Sequence, residues 1–248
     1  FSQTNPSHAS VLTGMYPATH KVQVHGVDKV SPSVATLAEV LAGNGYTTAG
    51  IYSWPSFDPA MSGLERGFTT YRGVYTEAPG QHEQQDFWRK WTARADLTTD
   101  AALQWLNGNP PTPLFLWLHY QDPHYPYTTP PPFDTMYDPN CQNCPDGGWD
   151  TIDRIQAGER LSETDIGRMV AKYDGAISFT DREIGRLLEG LKQDSLLDNA
   201  AVVVTADHGE SFGDNGRWFH PLILYNSVLR VPLTIRYPPA VPQGLVID

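Results

Sequence analysis

Three short apolar runs constrain the fold most, because few polar residues interrupt them on either face. They are PLFLWLHY at 113–120, AAVVVTA at 200–206 and VPLTIRY at 231–237. Continuous apolar runs of this length are typical of strands buried on both faces of a sheet. Segments with helical spacing of apolar residues alternate with such runs. The chain is therefore predicted to form an α/β fold with a mostly parallel central sheet flanked by helices on both faces.

The first half of the chain carries two helix signals and one further strand. Proline near the start and Gly14 at the end predict a short helix over residues 6–12. Residues 31–46, SPSVATLAEVLAGNGY, follow as a predicted amphipathic helix. The apolar face of that helix would consist of Val34, Leu37, Val40 and Leu41. TTAGIYS, at 47–53, is a predicted strand.

The second half adds two helices and a long loop. Residues 97–106 have helical spacing, and Ser162 opens a capping box before a long helical pattern that reaches Leu191. The segment 122–148 is dense in Pro, Tyr, Asp and Gly, which predicts a long loop. Neither an internal repeat nor a boundary is evident, so residues 1–248 are predicted to form a single domain.

Composition narrows the classes of partner. The net charge of −11 argues against nucleic acid or an anionic membrane surface, which both favour a basic face. No apolar run approaches the roughly 20 residues of a membrane span. Cys141 and Cys144 form a loop staple or remain two unpaired thiols, since further zinc ligands at the usual spacing are absent nearby. Compartment stays open between periplasmic or extracellular and cytoplasmic.

The strongest chemical signal follows the second apolar run. Asp207 and His208 leave the carboxyl end of a strand, where ligands bind in open α/β sheets, and Gly209 allows a sharp turn. A carboxylate beside an imidazole offers one oxygen and one nitrogen ligand, a pair suited to a divalent ion. Asp207 and His208 are therefore predicted metal ligands.

Two further groups of polar residues lie at element ends. His119, Asp122 and His124 lie within six positions of one another at the end of the first apolar run, and His124 is the best placed of them for a site. In the opening TNPSHASVLTG, Thr4 stands at the start of a helix, whose free N–H groups favour an anion. A metal could lower the pKa of the Thr4 hydroxyl and make it a nucleophile.

Two more histidines complete the predicted site. His8, about one turn after Thr4, could stabilise an oxygen of a phosphate or sulfate group. His220 lies in a loop between the Asp207–His208 pair and the last strand, from which it could fold back over the site.

These stretches, in this order, resemble the sulfatase family of the alkaline phosphatase superfamily. Thr4-Asn5-Pro6-Ser7-His8 followed by Leu12-Thr13-Gly14 is similar to the family signature of Cys or Ser, any residue, Pro, Ser, Arg and then Leu-Thr-Gly. LHYQDPHYPY resembles the segment with an active-site histidine, matching His124, and TADHGES resembles the metal-binding strand end. GNGYTTAGIYS, the long helix and LYNSVLRVPLTIRYP continue the resemblance over essentially the whole chain.

Two positions depart from the family signature. Sulfatases convert the signature Cys or Ser to formylglycine, whereas Thr4 is not a substrate for that conversion, so no formylglycine is expected. His8 replaces the signature Arg. The Thr form resembles phosphodiesterases and phosphoethanolamine transferases of the superfamily, and also sulfatase-like proteins with Pro-Ser-His. The resemblance therefore leaves sulfate and phosphate open as the preferred ester.

A third departure concerns extent. The family's first strand, with acidic metal ligands, precedes the nucleophile, and relatives continue past the VPQGLVID end of this chain. The resemblance thus implies an internal fragment, incomplete at both ends.

The resemblance implies metal-dependent hydrolysis of small-molecule, glycan or lipid sulfate or phosphate esters. One divalent ion (Ca, Mn or Zn), held by Asp207, His208 and Thr4, would activate Thr4 for a covalent intermediate. His8 and His220 would bind substrate oxygens, and His124 would contact the substrate and protonate the leaving alcohol. The alternatives are phosphoryl or phosphoethanolamine transfer to an acceptor, and an inactive sulfatase-like binding module.

Overall fold

The computed structural model describes residues 1–77, 91–140, 145 and 147–247. The helices are α1 Thr4–Thr13, α2 Pro17–His20, α3 Leu37–Gly43, α4 Pro59–Ser62, α5 Ala95–Asn107, α6 Trp149–Gln156, α7 Glu163–Gln193 and α8 Asn226–Leu229. The strands are β1 Thr47–Tyr52, β2 Thr70–Gly73, β3 Thr76–Glu77, β4 Trp91–Thr92, β5 Leu114–His119, β6 Val202–Thr205, β7 Ser211–Phe212, β8 Trp218–Phe219 and β9 Leu233–Arg236. Cys141 and Cys144 lie outside the described residues, so their predicted role stays a prediction.

A parallel sheet forms the centre, with β1 between β2 and β5. Along its full length β1 pairs with β5, from Thr47 opposite Leu114 to Tyr52 opposite His119. Since parallel strands end at the same edge of a sheet, side chains that follow β1 and β5 share one rim of the molecule.

Helices cover both faces of this sheet, as the strand-type runs predict. Alternate residues of β5 point to opposite faces. Leu114, Leu116 and Leu118 pack with a cluster from α5 and α7 that includes Leu106 and Leu187. Phe115 and Trp117 pack on the other face, against a cluster that includes Ala9 and Leu12 of α1. The predicted α/β fold with a parallel sheet flanked by helices is confirmed.

The second and third apolar runs differ from the prediction of strands buried on both faces. β6 pairs with β9 in an antiparallel ribbon, and the two form a two-stranded sheet of their own among the described residues. Val203 is 58% exposed and Leu233 is 65% exposed. A continuous apolar run identifies a strand, but it does not establish what covers the strand.

The predicted helix over 31–46 is wrong in its extent. The helix begins only at Leu37, because Thr36 and Glu39 form a capping box: Glu39 N–H donates to Thr36 Oγ1 at 3.1 Å, and Thr36 N–H donates to Glu39 Oε2 at 2.9 Å. Val34 lies before the helix, and Leu37 and Val40 are exposed rather than buried.

The long helix α7 begins where its capping signal predicts. Ser162 accepts a hydrogen bond from Asp165 N–H at 3.1 Å. Gly175 lies midway along α7 against the loop, where an added Cβ would approach the Phe133 carbonyl oxygen to 2.2 Å. The described residues between 122 and 148 form the predicted loop. Across the described ranges, no helix combines the length and apolar character of a membrane span.

Candidate active site

The helix α1 places Thr4 at one end of the site. Thr4 is the first helical residue and Gln3 is the N-cap, so the helix starts two residues earlier than Pro6 suggests. It ends at Gly14, whose φ of 67° suits glycine. One turn after Thr4, His8 turns its Nδ1 back to the Thr4 carbonyl oxygen at 3.0 Å.

The same His8 nitrogen joins α1 to residues some two hundred positions away. His8 Nδ1 lies 3.6 Å from Asp207 Oδ2, and that oxygen lies 3.5 Å from His208 Nε2. The structure therefore brings the Thr4–His8 turn and the Asp207–His208 pair together.

Gly209 makes the turn after this pair possible. An added Cβ would lie 2.1 Å from the Ser227 carbonyl oxygen, and Gly209 N–H donates to the Val228 carbonyl at 2.8 Å. No side chain fits there, so the chain can fold the Asp207–His208 pair tightly against α8.

Three imidazole rings lie next to one another beside Asp207, with His208 and His220 stacked and His124 tilted at 60° to His220. The ring centres of His208 and His220 are 4.3 Å apart, and those of His220 and His124 are 4.7 Å apart. Glu210 fixes the middle ring, since its Oε1 lies 2.9 Å from His220 Nδ1. The Tyr127 hydroxyl donates to the other Glu210 oxygen at 3.2 Å.

Charge and burial set opposite pKa shifts in this cluster. Burial alone would raise the pKa of the Asp207 carboxyl, but the imidazoles of His8 and His208 reverse the shift and lower it to about 2. Burial and repulsion between rings lower the pKa of His124 and of His220 to about 3. The site without a ligand thus holds an ionised carboxylate, and the pKa values of two nearby rings, His124 and His220, lie far below 7.

The donor chemistry suits a divalent ion at the Asp207–His208 pair. The Asp207 oxygen is anionic, and His208 turns its Nδ1 to the Gly209 carbonyl at 2.9 Å, which leaves Nε2 free to be a ligand. Thr4 would supply a hydroxyl. Within the part of the chain that the structure describes, no group of three or more His, Cys, Asp or Glu side chains is arranged to hold an ion.

Two residues at the end of β5 make contacts of their own. His119, the last residue of β5, is buried; its ring centre lies 5.2 Å from that of His8, and its Nδ1 faces Ser53 Oγ at 3.1 Å. Asp122 holds the start of α5, since its Oδ2 accepts a hydrogen bond from Ala95 N–H at 2.7 Å. Of the three polar residues there, His124 is the one whose ring contacts His220, at 4.7 Å between ring centres.

Sequence reasoning missed two members of the cluster. Glu210 stands beside the recognised Asp207–His208 pair, but only the fold shows that it binds His220. His25 accepts a hydrogen bond at Nδ1 from Asn5 N–H, at 3.4 Å. No chemical neighbour in the sequence distinguishes His25, so the sequence held no signal for it.

Comparison with known proteins places the chain in one family. The sulfatase family model matches residues 2–246. A sulfatase from Formosa agariphila is 24% identical, with 98% of this chain and 56% of the relative aligned. A multifunctional alkaline phosphatase superfamily protein, PehA of Trinickia caryophylli, is 25% identical over 93% of this chain and 57% of its own length. The chain thus spans somewhat over half the length of these relatives.

Solved structures share the fold. A protein solved in complex with its substrate, D-glucosamine-2-N,6-O-disulfate, aligns with a TM-score of 0.73 and 21% identity over 98% of this chain and 63% of its own. A phosphonate monoester hydrolase from Silicibacter pomeroyi aligns with a TM-score of 0.68 and 23% identity over 95% of this chain and 59% of its own. The match to the family model extends over nearly the whole sequence, and the chain belongs to the sulfatase family.

Proposed function

We propose that the protein of which this chain is part is a metal-dependent hydrolase of sulfate or phosphate esters that acts through a covalent intermediate on Thr4. The observation that supports this most directly is the 3.6 Å approach of His8 to Asp207, which joins the turn of Thr4 to the Asp207–His208 pair. Relatives named as sulfatases and as a phosphonate monoester hydrolase are consistent with both ester classes.

A divalent ion (Ca, Mn or Zn) fits the donor set of Asp207, His208 and Thr4. When bound, such an ion lowers the pKa of a hydroxyl and neutralises charge on an ester oxygen. No formylglycine is invoked, because Thr4 provides its own hydroxyl at the first position of α1, where the helix dipole favours negative charge.

Each side chain of the cluster has a separate role in the remaining steps of the proposed reaction. The Thr4 oxygen attacks sulfur or phosphorus, and the Thr4 hydroxyl proton passes to an imidazole of the cluster. His124, once protonated, gives a proton to the leaving alcohol oxygen. His8 and His220 lie beside the group being transferred, and Glu210 fixes the orientation of His220. Water then releases the acid from Thr4.

The substrate is proposed to be a small-molecule, glycan or lipid ester. One solved relative holds a sulfated glucosamine. In this chain, Trp54 lies beside His124, with ring centres 6.0 Å apart. Trp54 is 8% exposed and belongs to a core cluster, so it borders His124 from the protein interior.

Substitution of Thr4 by Ala in the full-length protein tests the proposal. We expect turnover of an aryl sulfate, a phosphate monoester, a phosphodiester or a phosphonate to fall by at least about 10³-fold, because the nucleophile is lost. Thr13→Ala is the matched control, since Thr13 lies at the far end of α1, where its hydroxyl donates to Ala9 O and accepts from Met15 N–H. Peptide mass spectrometry should show Thr4 unmodified in the active sample.

The outcome separates the alternatives as well. Retained turnover in Thr4→Ala would contradict the role of Thr4 as the nucleophile. An intermediate resolved by an added alcohol faster than by water would favour transfer, and no turnover of any of the four esters by the wild type would favour a binding module.

A further inference from the structure

His220 differs from the other three histidines around Asp207 in what orients its ring. The Nδ1 atoms of His8, His124 and His208 each face a backbone carbonyl that lies within four positions along the chain. The Nδ1 of His220 instead faces a side chain, the carboxyl group of Glu210, at 2.9 Å. A glutamate side chain has several staggered rotamers, whereas a backbone carbonyl is fixed by the fold. The orientation of the His220 ring therefore depends on what holds Glu210.

The antiparallel ribbon of β7 and β8 brings Glu210 and His220 close together. Ser211 pairs with Phe219 at one end of this ribbon. Glu210 comes just before the first strand and His220 comes just after the second, so both residues lie at that same end. The backbone pairing sets the distance between the two residues, but it does not set the plane of the carboxyl group.

Tyr127 holds the second oxygen of that carboxyl group. Its hydroxyl donates to Glu210 Oε2 at 3.2 Å, while Glu210 Oε1 faces His220. Tyr127 is 1% exposed and the Glu210 side chain is 5% exposed, so water cannot readily replace this hydrogen bond. With one partner on each oxygen, the plane of the carboxyl group is fixed relative to the His220 ring.

Packing in turn fixes the ring of Tyr127. Its centre lies 5.5 Å from that of Tyr173 of α7, edge to face, and 5.8 Å from that of Phe212. At Gly147, an added Cβ would lie 2.1 Å from Tyr127 Cδ2, so only glycine lets the chain pass this close to the ring. A ring packed so closely cannot swing, and its hydroxyl is a rigid donor. Tyr127 thus links the Glu210 carboxyl to α7 and the protein interior.

We propose that Tyr127 is a positioning residue for the reaction: its hydroxyl holds the Glu210 carboxyl, and Glu210 holds the His220 ring beside the group being transferred. This proposal rests on the proposed function, which places His220 there. Tyr127 does not touch the substrate, and no bond is made or broken at it. A group beside the reacting atoms must be held within a fraction of an ångström of its productive position, which is why a buried, rigid support matters.

The first test reads the environment of the His220 ring. Long-range ¹H–¹⁵N correlation spectra of the full-length protein, labelled at histidine, report on each ring nitrogen, and single substitutions assign the signals. In Tyr127→Phe we expect the His220 Nδ1 signal to shift, because the Glu210 carboxyl loses one of its two partners. The His20 signals should stay in place, since His20 Nδ1 accepts a separate hydrogen bond from Val22 N–H at 3.1 Å. Unchanged His220 signals would overturn the proposal.

The second test measures how much activity depends on the link. Tyr127→Phe keeps the ring and its packing and removes only the hydroxyl. We expect kcat/KM for the preferred ester to fall by about 10- to 100-fold, the usual range for a residue that orients a site residue through a hydrogen bond. Tyr120→Phe is the matched control, because the buried Tyr120 hydroxyl is hydrogen-bonded to Thr99 Oγ1 at 2.9 Å instead. It should keep the wild-type kcat/KM and lose a similar amount of thermal stability.

A double substitution separates positioning from general destabilisation. If Tyr127 acts through His220, Tyr127→Phe should cause little further loss of kcat/KM in a His220→Ala protein, because the ring that Tyr127 positions is already absent. An equal fold-loss in the wild-type and His220→Ala backgrounds would show that the Tyr127 hydroxyl only supports the fold, and it would overturn the proposal.

These readouts separate failure of this proposal from failure of the proposed function. If Thr4→Ala is inactive and Tyr127→Phe keeps the wild-type kcat/KM, the role of Tyr127 alone is overturned. If Thr4→Ala keeps its turnover, or if the wild type or His220→Ala turns over no ester, the spectra decide. A shift of the His220 signal in Tyr127→Phe but not in Tyr120→Phe would support positioning, and equal shifts in both variants, or none, would overturn it.

Discussion

At the scale of one residue, burial and a hydrogen bond from a helix start shift the pKa of Asp122 in opposite directions. Asp122 is 6% exposed, and its carboxyl accepts a hydrogen bond from the first N–H of α5. Burial raises the pKa of Asp122 to about 7, although the Ala95 N–H bond opposes the shift. The folded state therefore keeps the Asp122 proton over a pH range in which the unfolded chain has released it.

Stability should fall with rising pH because of this residue. Ionisation of the buried Asp122 carboxyl lowers the free energy of unfolding. This loss is absent below the unfolded pKa near 4 and complete above the folded pKa of about 7. Asp122→Asn keeps an oxygen acceptor and removes the titration. The free energy of unfolding of the variant relative to the wild type should thus rise by up to about 4 kcal/mol between pH 4 and 8. Urea denaturation at several pH values measures this difference.

Thr99→Val is the control, because Thr99 also lies in α5 and its hydroxyl, which is hydrogen-bonded to the Tyr120 hydroxyl at 2.9 Å, does not titrate between pH 4 and 8. Its difference from the wild type should change little with pH. A pH-independent difference for Asp122→Asn would contradict the assigned burial cost.

Some residues of the site could be identified from the sequence, and others could not. Thr4, His8, Asp207 and His208 stand in motifs with adjacent chemical groups, and the structure brings them together. The catalytic and metal-binding roles given to them, and to His124 and His220, stay predictions. His25 could not be found this way, because what distinguishes it is a hydrogen bond from Asn5, twenty positions away in the chain.

At the scale of elements, local signals predicted helix starts better than helix lengths. Ser162 begins α7 as its capping box requires. In 31–46 the apolar spacing extended the predicted helix too far, because Arg66 binds the carbonyl oxygens of Pro32 and Val34 and holds that stretch outside the helix. That contact spans more than thirty positions, and periodicity within the segment contains no information about it.

Thr36 offers a test of this helix start. Besides its capping box, its Oγ1 donates to the Arg66 carbonyl at 3.0 Å. Thr36→Ala should reduce the free energy of unfolding by about 1–2 kcal/mol, since the cap and that bond are both lost. Thr36→Ser keeps the hydroxyl and should lose less than half of this amount. Equal losses in the two variants, measured by urea denaturation, would mean that the methyl packing rather than the cap matters.

At the scale of the whole molecule, the alternation of strands and helices predicted the central sheet and its covered faces. It did not predict that β6 and β9 pair with each other in an antiparallel ribbon. Strand identity depends on local composition, whereas pairing depends on contacts between distant segments, and the two apolar runs are equally compatible with either sheet.

A bound ion would link distant segments, so its removal should affect the whole fold. Adding Ca²⁺, Mn²⁺ or Zn²⁺ to chelator-treated full-length protein should raise Tm. At an ion concentration of one hundred times the Kd, binding adds about 2.7 kcal/mol to the free energy of unfolding. Asp207→Ala should abolish the response in a thermal shift assay, whereas Asp198→Ala, at an almost fully exposed surface carboxylate, should retain it. The predicted ion site would be refuted if none of the three ions shifts Tm, or if Asp207→Ala responds like the wild type.

The meeting of α1 with the end of β6 has a consequence for biosynthesis. At about 5–20 residues per second, a ribosome needs roughly 10–40 s to extend a nascent chain by the two hundred or so positions that separate Thr4 from Asp207. During that interval the apolar side of α1 can pack on the first strands, but the carboxylate that faces His8 has not yet been made. Activity should therefore appear only after translation passes the last of these residues, and slowing synthesis between them should not yield an active intermediate.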